Sequence, residues 1–147
     1  MSTFQYNHTA YPFCYQGQWL DSLLELRFIL SIEDTHEWTR EGLKIYYNID
    51  QVPEGITGGL ASYTPDFLIK DKQKSTITLV EIKPKGFNDK WDCLRRKKIA
   101  ESFISWMGYD WEFKIIWGDE IQLSKSAQLK YRHLIQKTLR SIEKKSL

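Results

Sequence analysis

Cysteine is scarce in this 147-residue chain, and its two thiols, Cys14 and Cys93, stand far apart. They form no CxxC pair. That argues against a thiolate zinc site and a disulfide framework, and for a reducing compartment. Histidine is equally thin. His8, His36 and His133 are scattered, and none is placed as a HExxH or zinc-finger pair would place it. No apolar run approaches the ~20 residues that a bilayer span needs, so no membrane association is expected. Met1 to Tyr11 is polar and aromatic, without the basic start and apolar stretch of a signal peptide. Repeats, low-complexity segments and linkers are lacking too. The length fits one domain, residues 1–147, around one core.

Aromatic side chains and, in one half, positive charge are what the chain does have. Aromatics make up 14% of it, with six Trp. They are expected chiefly to thicken the core of a small domain, the alternative being that some stack on nucleic-acid bases. The net charge of +2 hides an asymmetry. Residues 1–82 carry 6 Lys/Arg against 11 Asp/Glu, whereas residues 83–147 carry 15 against 8. A basic half suggests a polyanionic partner, although a Lys-rich face is often only a solvated one.

Gln18 to Ser31 reads as a helix that is apolar nearly all round and therefore buried, with Glu25 as the one carboxylate of its second half. Leu43 to Ile49 is a β-type run, and Pro53 to Ser62, with three glycines and a proline, is a loop. Tyr63 to Lys70 and Ser75 to Lys83 read as two strands of a hairpin turning at Asp71 to Lys74. Asn88 or Asp89 caps a helix running to about Met107, with Gly108 just past its end. Trp111 to Trp117 is a further strand. A last helix runs from Ser124 to about Lys144, with Leu129, Leu134, Ile135, Leu139 and Ile142 as its buried stripe. This order predicts an α/β sandwich with a mixed sheet.

Chemistry concentrates on the hairpin. Glu81 and Lys83 are two residues apart and so share a strand face. The partner strand holds Asp66, preceded by Pro65. Adjacent strands lie ~4.8 Å apart, close enough in suitable register for two carboxylates to grip one Mg²⁺ or Mn²⁺. Glu-x-Lys also occurs at Glu112 to Lys114 and at Glu143 to Lys145. The first of these would serve equally as an edge-strand ion pair, and the second falls in a terminal helix. Hairpin polar residues on a solvated face are the plain alternative for Asp66, Glu81 and Lys83 themselves.

Tyr63-Thr-Pro-Asp66-Phe-Leu-Ile followed by Leu79-Val-Glu81-Ile-Lys83-Pro-Lys resembles the signature of the PD-(D/E)XK nuclease superfamily. The wording is similar to that of the catalytic domain of TnsA-type transposon endonucleases. Trp19-Leu-Asp-Ser-Leu-Leu-Glu25 resembles that family's first helix, which supplies a further acid. The resemblance covers about residues 12 to 117. It implies a restriction-endonuclease-like α/β sandwich with a central mixed sheet flanked by helices. It also implies a Mg²⁺- or Mn²⁺-dependent DNA endonuclease in the cytoplasm of a bacterial or phage-infected cell, acting in transposition, phage DNA processing or restriction. Asp66 and Glu81 would ligate the metal, the backbone carbonyl of Ile82 would join them, and Glu25 would reach the metal or its water. Lys83 would position the attacking water. Seven basic residues between Lys83 and Lys98 follow the motif, and Lys85, Lys90, Arg95, Arg96, Lys97 and Lys98 are the expected DNA contacts. The nuclease would act on DNA as a homodimer or with a partner protein that supplies targeting. Other readings are a structure-selective nuclease or junction resolvase, which would need a dimer, and a catalytically silent DNA-binding or assembly subunit.

Overall fold

The computed structural model describes residues 12–48 and 60–146. These residues fall into two compact units, one taken from the chain up to Asp34 and from Ile121 onward, the other Thr35–Glu120.

In the first unit, β1 (Phe13–Tyr15) and β2 (Gln18–Leu20) form an antiparallel hairpin. Its two turn residues, Gln16 and Gly17, both take positive φ, as a two-residue hairpin of matching twist requires. The expected helix from Gln18 therefore starts later. Helix α1 spans Leu23–Ile32, because Ser22 leaves the chain extended and its Oγ accepts the Glu25 amide at 3.2 Å. Glu25 Oε1 reaches back to accept the Asp21 amide at 3.0 Å. The pattern Ser-x-x-Glu is a capping box closed one residue early, and it marks the true start in the sequence. As the nearly all-round apolar pattern predicted, Leu23, Leu24, Leu26, Phe28, Ile29 and Leu30 are buried.

Helix α3 (Lys125–Ser146) packs on α1. The half-buried stripe is Ala127, Tyr131, Leu134, Ile135 and Thr138, at helical spacing. Leu129 is off that stripe, two residues from each of its nearest members, and is 63% exposed. The expected stripe was wrong at that position. The side chains of Leu139 and Ile142 lie outside the described set. Arg27 ties the two helices by donating to the Ile121 carbonyl at 3.3 Å and lying over the Tyr131 ring.

The second unit holds a four-stranded mixed sheet in the order β3 (His36–Arg40), β6 (Phe67–Asp71), β7 (Ile77–Lys83), β8 (Glu112–Trp117). A separate antiparallel pair joins β4 (Ile45–Asn48) to β5 (Leu60–Tyr63). The expected loop Pro53 to Ser62 lies outside the described residues up to position 59, and Leu60 to Ser62 belong to β5 rather than to a loop. Strands β6 and β7 form the anticipated hairpin. In its turn, Asp71 Oδ1 accepts the amides of Gln73 and Lys74 at 2.8 and 2.9 Å. Helix α2 (Lys90–Met107) then carries the chain to β8, which runs parallel to β7 as a helical crossover allows. Asp89 caps α2 by accepting the Asp92 amide at 3.0 Å, and Gly108, at φ 72°, ends it in the left-handed region that favours glycine.

The core of this unit is Ile45, Tyr63, Leu79, Ile99, Ala100 and Ile104, with Phe103, Trp111 and Phe113 packed around it. The aromatics expected to thicken the core divide: Phe13, Tyr15, Phe28, Tyr63 and Phe67 are buried and Trp111 packs on the core, but the other tryptophans contribute less. Trp19, Trp91 and Trp106 are 66%, 62% and 82% exposed, and Trp38, Trp111 and Trp117 are only half-buried. Among the described residues the protein is a mixed α/β structure with three α-helices, none long and apolar enough to cross a membrane. If Ser22 sets the start of α1, Ser22→Ala will lower the unfolding free energy by about 1 kcal/mol. Urea titration followed by far-UV circular dichroism measures this, and an unchanged midpoint would remove Ser22 from that role.

Candidate active site

Alternation along β7 turns Leu79, Glu81 and Lys83 to one face. Leu79 meets Ile99, Ala100 and Ile104 of α2 in the core. Four residues earlier on the same helix face come Arg96 and then Asp92, so the apolar stripe of α2 ends in a charged one. Strand and helix thus change from apolar to ionic at the same level. Glu81 and Lys83 are 3% and 7% exposed, and an ion so buried must be paired.

The pairing is dense. Arg96 Nη1 donates to Glu81 Oε2 at 2.9 Å, and its Nε donates to Asp92 Oδ2 at 2.8 Å. Lys83 Nζ lies 2.9 Å from Asp92 Oδ2 and 3.5 Å from Glu81 Oε2, over the Phe87 ring. Arg95 donates to Asp92 Oδ1 at 2.7 Å. On the other side, the Tyr63 hydroxyl donates to Glu81 Oε1 at 2.7 Å, and its ring receives the Arg96 guanidinium at 5.2 Å.

The titration behaviour follows from these contacts. Burial pushes the Asp92 carboxyl up, but hydrogen bonds from Lys83, Arg96 and Arg95, with the Arg96 charge, outweigh it and bring the carboxyl to about 2. Burial and the neighbouring Glu81 charge push the Tyr63 hydroxyl far above the ordinary phenol range, so it remains a donor. Burial alone would lower Arg96, but Glu81 and Asp92 raise it instead.

Asp66 stands just before β6. It continues the register one step beyond Phe67↔Val80, to the position opposite Glu81. Its Oδ2 accepts the Ile82 amide at 2.7 Å, and its backbone carbonyl accepts the Glu41 amide at 2.9 Å. Pro65 before it is fully buried and lies in the link between β5 and β6, not in a strand. Ile82, expected to contribute its carbonyl, meets Asp66 through its N–H.

The structure therefore brings Asp66, Glu81, Lys83 and Ile82 together. Glu25 belongs to the first unit, where it is 5% exposed and caps α1. Of the expected DNA contacts, Lys85, Lys90, Lys97 and Lys98 are exposed. Arg95 and Arg96 are half-buried and turned to carboxylates instead. Glu112 and Lys114 form an exposed pair at 3.6 Å on β8, the edge-strand arrangement their spacing allowed. Sequence reasoning missed Asp92 and Tyr63. The i, i+4 pair Asp92 and Arg96 in the helix after the motif was the available signal for the first.

Among the described residues there is no group of three His, Cys, Asp or Glu side chains arranged to hold a metal ion. Mg²⁺ is commonly held by one or two carboxylates with water completing its shell, and Asp66 and Glu81 supply that number of hard oxygen donors. Glu81 Oε2 already attracts two cationic groups. Asp66 and Glu81 are the two carboxylates here that could hold such an ion. Comparisons with protein-family models, curated proteins and solved structures return no match for this chain.

Asp92 supplies a pH test. Its folded pKa, about 2, lies below the usual carboxylate value of 3.8, so its stabilisation is full above about pH 4 and is lost as pH falls through 2. Asp92→Asn will lower stability at pH 7 by roughly 1–3 kcal/mol, and the difference from the wild type will shrink below about pH 4. Urea unfolding between pH 7 and 2.5 measures both. A pH-independent difference would mean that the carboxylate charge is not what stabilises the cluster.

Proposed function

We propose that the chain is a metal-dependent DNA endonuclease of the PD-(D/E)XK kind. The observation that carries this reading is the Asp66 carboxylate accepting the Ile82 amide at 2.7 Å, one residue from Glu81 on β7, with the Lys83 ammonium 3.5 Å from Glu81 Oε2. The four-stranded mixed sheet, with its helical crossover into the parallel strand β8, is compatible with a restriction-endonuclease-like sandwich and supports the same reading.

Asp66 and Glu81 would hold a divalent ion, and the chemistry it would supply there is Lewis-acid activation of the scissile phosphodiester. Lys83, held between Glu81 and Asp92, is placed to face the reacting phosphate and orient the attacking water. Hydrolysis needs no covalent link to the protein. The exposed Lys85, Lys90, Lys97 and Lys98 supply charge for the DNA backbone, which binds through phosphates without regard to sequence.

A second reading is favoured by the saturation of the cluster. Both Glu81 oxygens have donors and Lys83 is paired with Asp92, as in a purely structural ion network on a catalytically silent DNA-binding subunit.

Supercoiled-plasmid nicking with Mg²⁺ or Mn²⁺ separates the two. Asp66→Asn will lower the nicking rate by about a hundredfold or more and leave the melting transition cooperative. Glu81→Gln and Lys83→Gln will lose cleavage and also melt lower, since breaking a buried pair costs about 3–5 kcal/mol. Wild-type protein that binds DNA but leaves plasmid intact with either metal would favour the silent subunit.

DNA binding is checked apart from cleavage. Replacing Lys97 and Lys98 with Gln will reduce the slope of log affinity against log salt by about 0.9 for each phosphate that is no longer neutralised. Titrations on two unrelated duplexes should weaken equally, and an unchanged slope would place these lysines away from the DNA.

A further inference from the structure

Glu81 Oε2 is a crowded oxygen. Arg96 Nη1 donates to it at 2.9 Å and Lys83 Nζ lies 3.5 Å away, while Oε1 is taken by the neutral Tyr63 hydroxyl. The two cations differ in their freedom. Lys83 is on the same strand two residues on, and its side chain is 9% exposed. Arg96 comes from α2 and its side chain is 28% exposed, so water reaches it. Arg96 also has partners that do not depend on Glu81. Its Nε is bonded to Asp92 and its guanidinium lies on the Tyr63 ring. It can leave Glu81 and remain in the cluster.

We propose that Arg96 is a resident counter-cation on Glu81 that a divalent metal ion displaces, so that the Arg96–Glu81 ion pair and metal binding exclude one another. The inference rests on the reading of Asp66 and Glu81 as metal ligands and adds a positioning residue to that site. Its physical ground is repulsion: a guanidinium at hydrogen-bond distance and a divalent ion at ~2.1 Å on the same carboxylate oxygen would stand as like charges close together. The guanidinium satisfies a buried carboxylate that would be costly without a cationic partner. A competitor that fills the seat reduces the fraction of molecules competent to bind, and the apparent affinity falls by that fraction.

Isothermal titration of Mn²⁺ alone into the full chain, without DNA, tests this. The set is wild type, Arg96→Gln, Arg96→Lys, Arg95→Gln and Asp66→Asn, each shown to be folded by circular dichroism and a cooperative melt. Arg96→Gln should bind Mn²⁺ about three- to tenfold tighter than wild type, and Arg96→Lys, with one donor group in place of a fork, should gain less. Arg95→Gln removes the same charge one residue away, from a side chain bonded to Asp92 but not to Glu81. It should stay within about twofold of wild type. Asp66→Asn should lose binding. Should Arg96→Gln fail to fold, Arg96→Lys against Arg95→Gln carries the comparison. Equal or weaker binding in the Arg96 variants, with Asp66→Asn still deficient, overturns the inference and leaves the metal site standing. An equal gain in Arg95→Gln overturns it in favour of a general field effect. Absence of Mn²⁺ binding in every protein, Arg96→Gln included, removes the metal-site reading and the inference with it.

Discussion

Glu81 is a carboxylate held almost entirely out of water at the end of a sheet strand, and the ionic half of the second unit is built to make that tolerable. A buried ion stripped of its partners costs several kcal/mol, more than most single interactions return. The demand spreads from residue to residue. Glu81 calls for Arg96 and Tyr63; Arg96 and Lys83 call for Asp92; Asp92 in turn draws in Arg95. Asp92 touches all three cations and not Glu81, so it balances their charge from the helix side. The end of β7 and the first turns of α2 are fixed to one another by charge, as their continuations are by Leu79, Ile99 and Ala100.

Such a cluster serves structure, and would serve the proposed chemistry by the same contacts. Groups that keep Lys83 from water also keep its ammonium in one place, and the Tyr63 hydroxyl holds the Glu81 carboxylate in one orientation. Side chains used in reaction must be fixed by others around them. The groups around Glu81 and Lys83 are themselves ionisable, so the electrostatic setting of Glu81 depends on Asp92, a residue that does not touch it.

The legible parts of the sequence were the local ones. The β6–β7 hairpin follows from two short apolar runs and the Asp71 turn, and the limits of α2 follow from Asp89 and Gly108. All of these signals lie within a few residues of the boundary they set. Strand β2 was misread because Gln18-Trp-Leu joins smoothly to an apolar helix, and only Gln16-Gly17 and the Ser22 cap separate them. Strand β3, His36-Glu-Trp-Thr-Arg40, escaped notice because it carries a single large apolar residue, Trp38, which meets Phe67 edge-on. The motif residues Asp66, Glu81 and Lys83 could be named from spacing. Their partners could not, since Arg96 is as good a phosphate ligand as an ion-pair partner until the helix is seen to turn it inward. Glu25 shows the converse. Its helix was expected to be buried, but the capping bond that accounts for one of its oxygens required the helix to begin five residues later than the apolar pattern suggested.

The exposed pair Glu112 and Lys114 lies on β8, the outermost strand on one side of the sheet. An outer strand offers unpaired amides and carbonyls on its free edge, and such an edge can recruit a strand from another molecule. Docking a foreign strand there would partly cover two charged side chains, 69% and 56% exposed. Glu112 and Lys114 therefore act as guards on the open rim of the sheet, discouraging its growth from molecule to molecule.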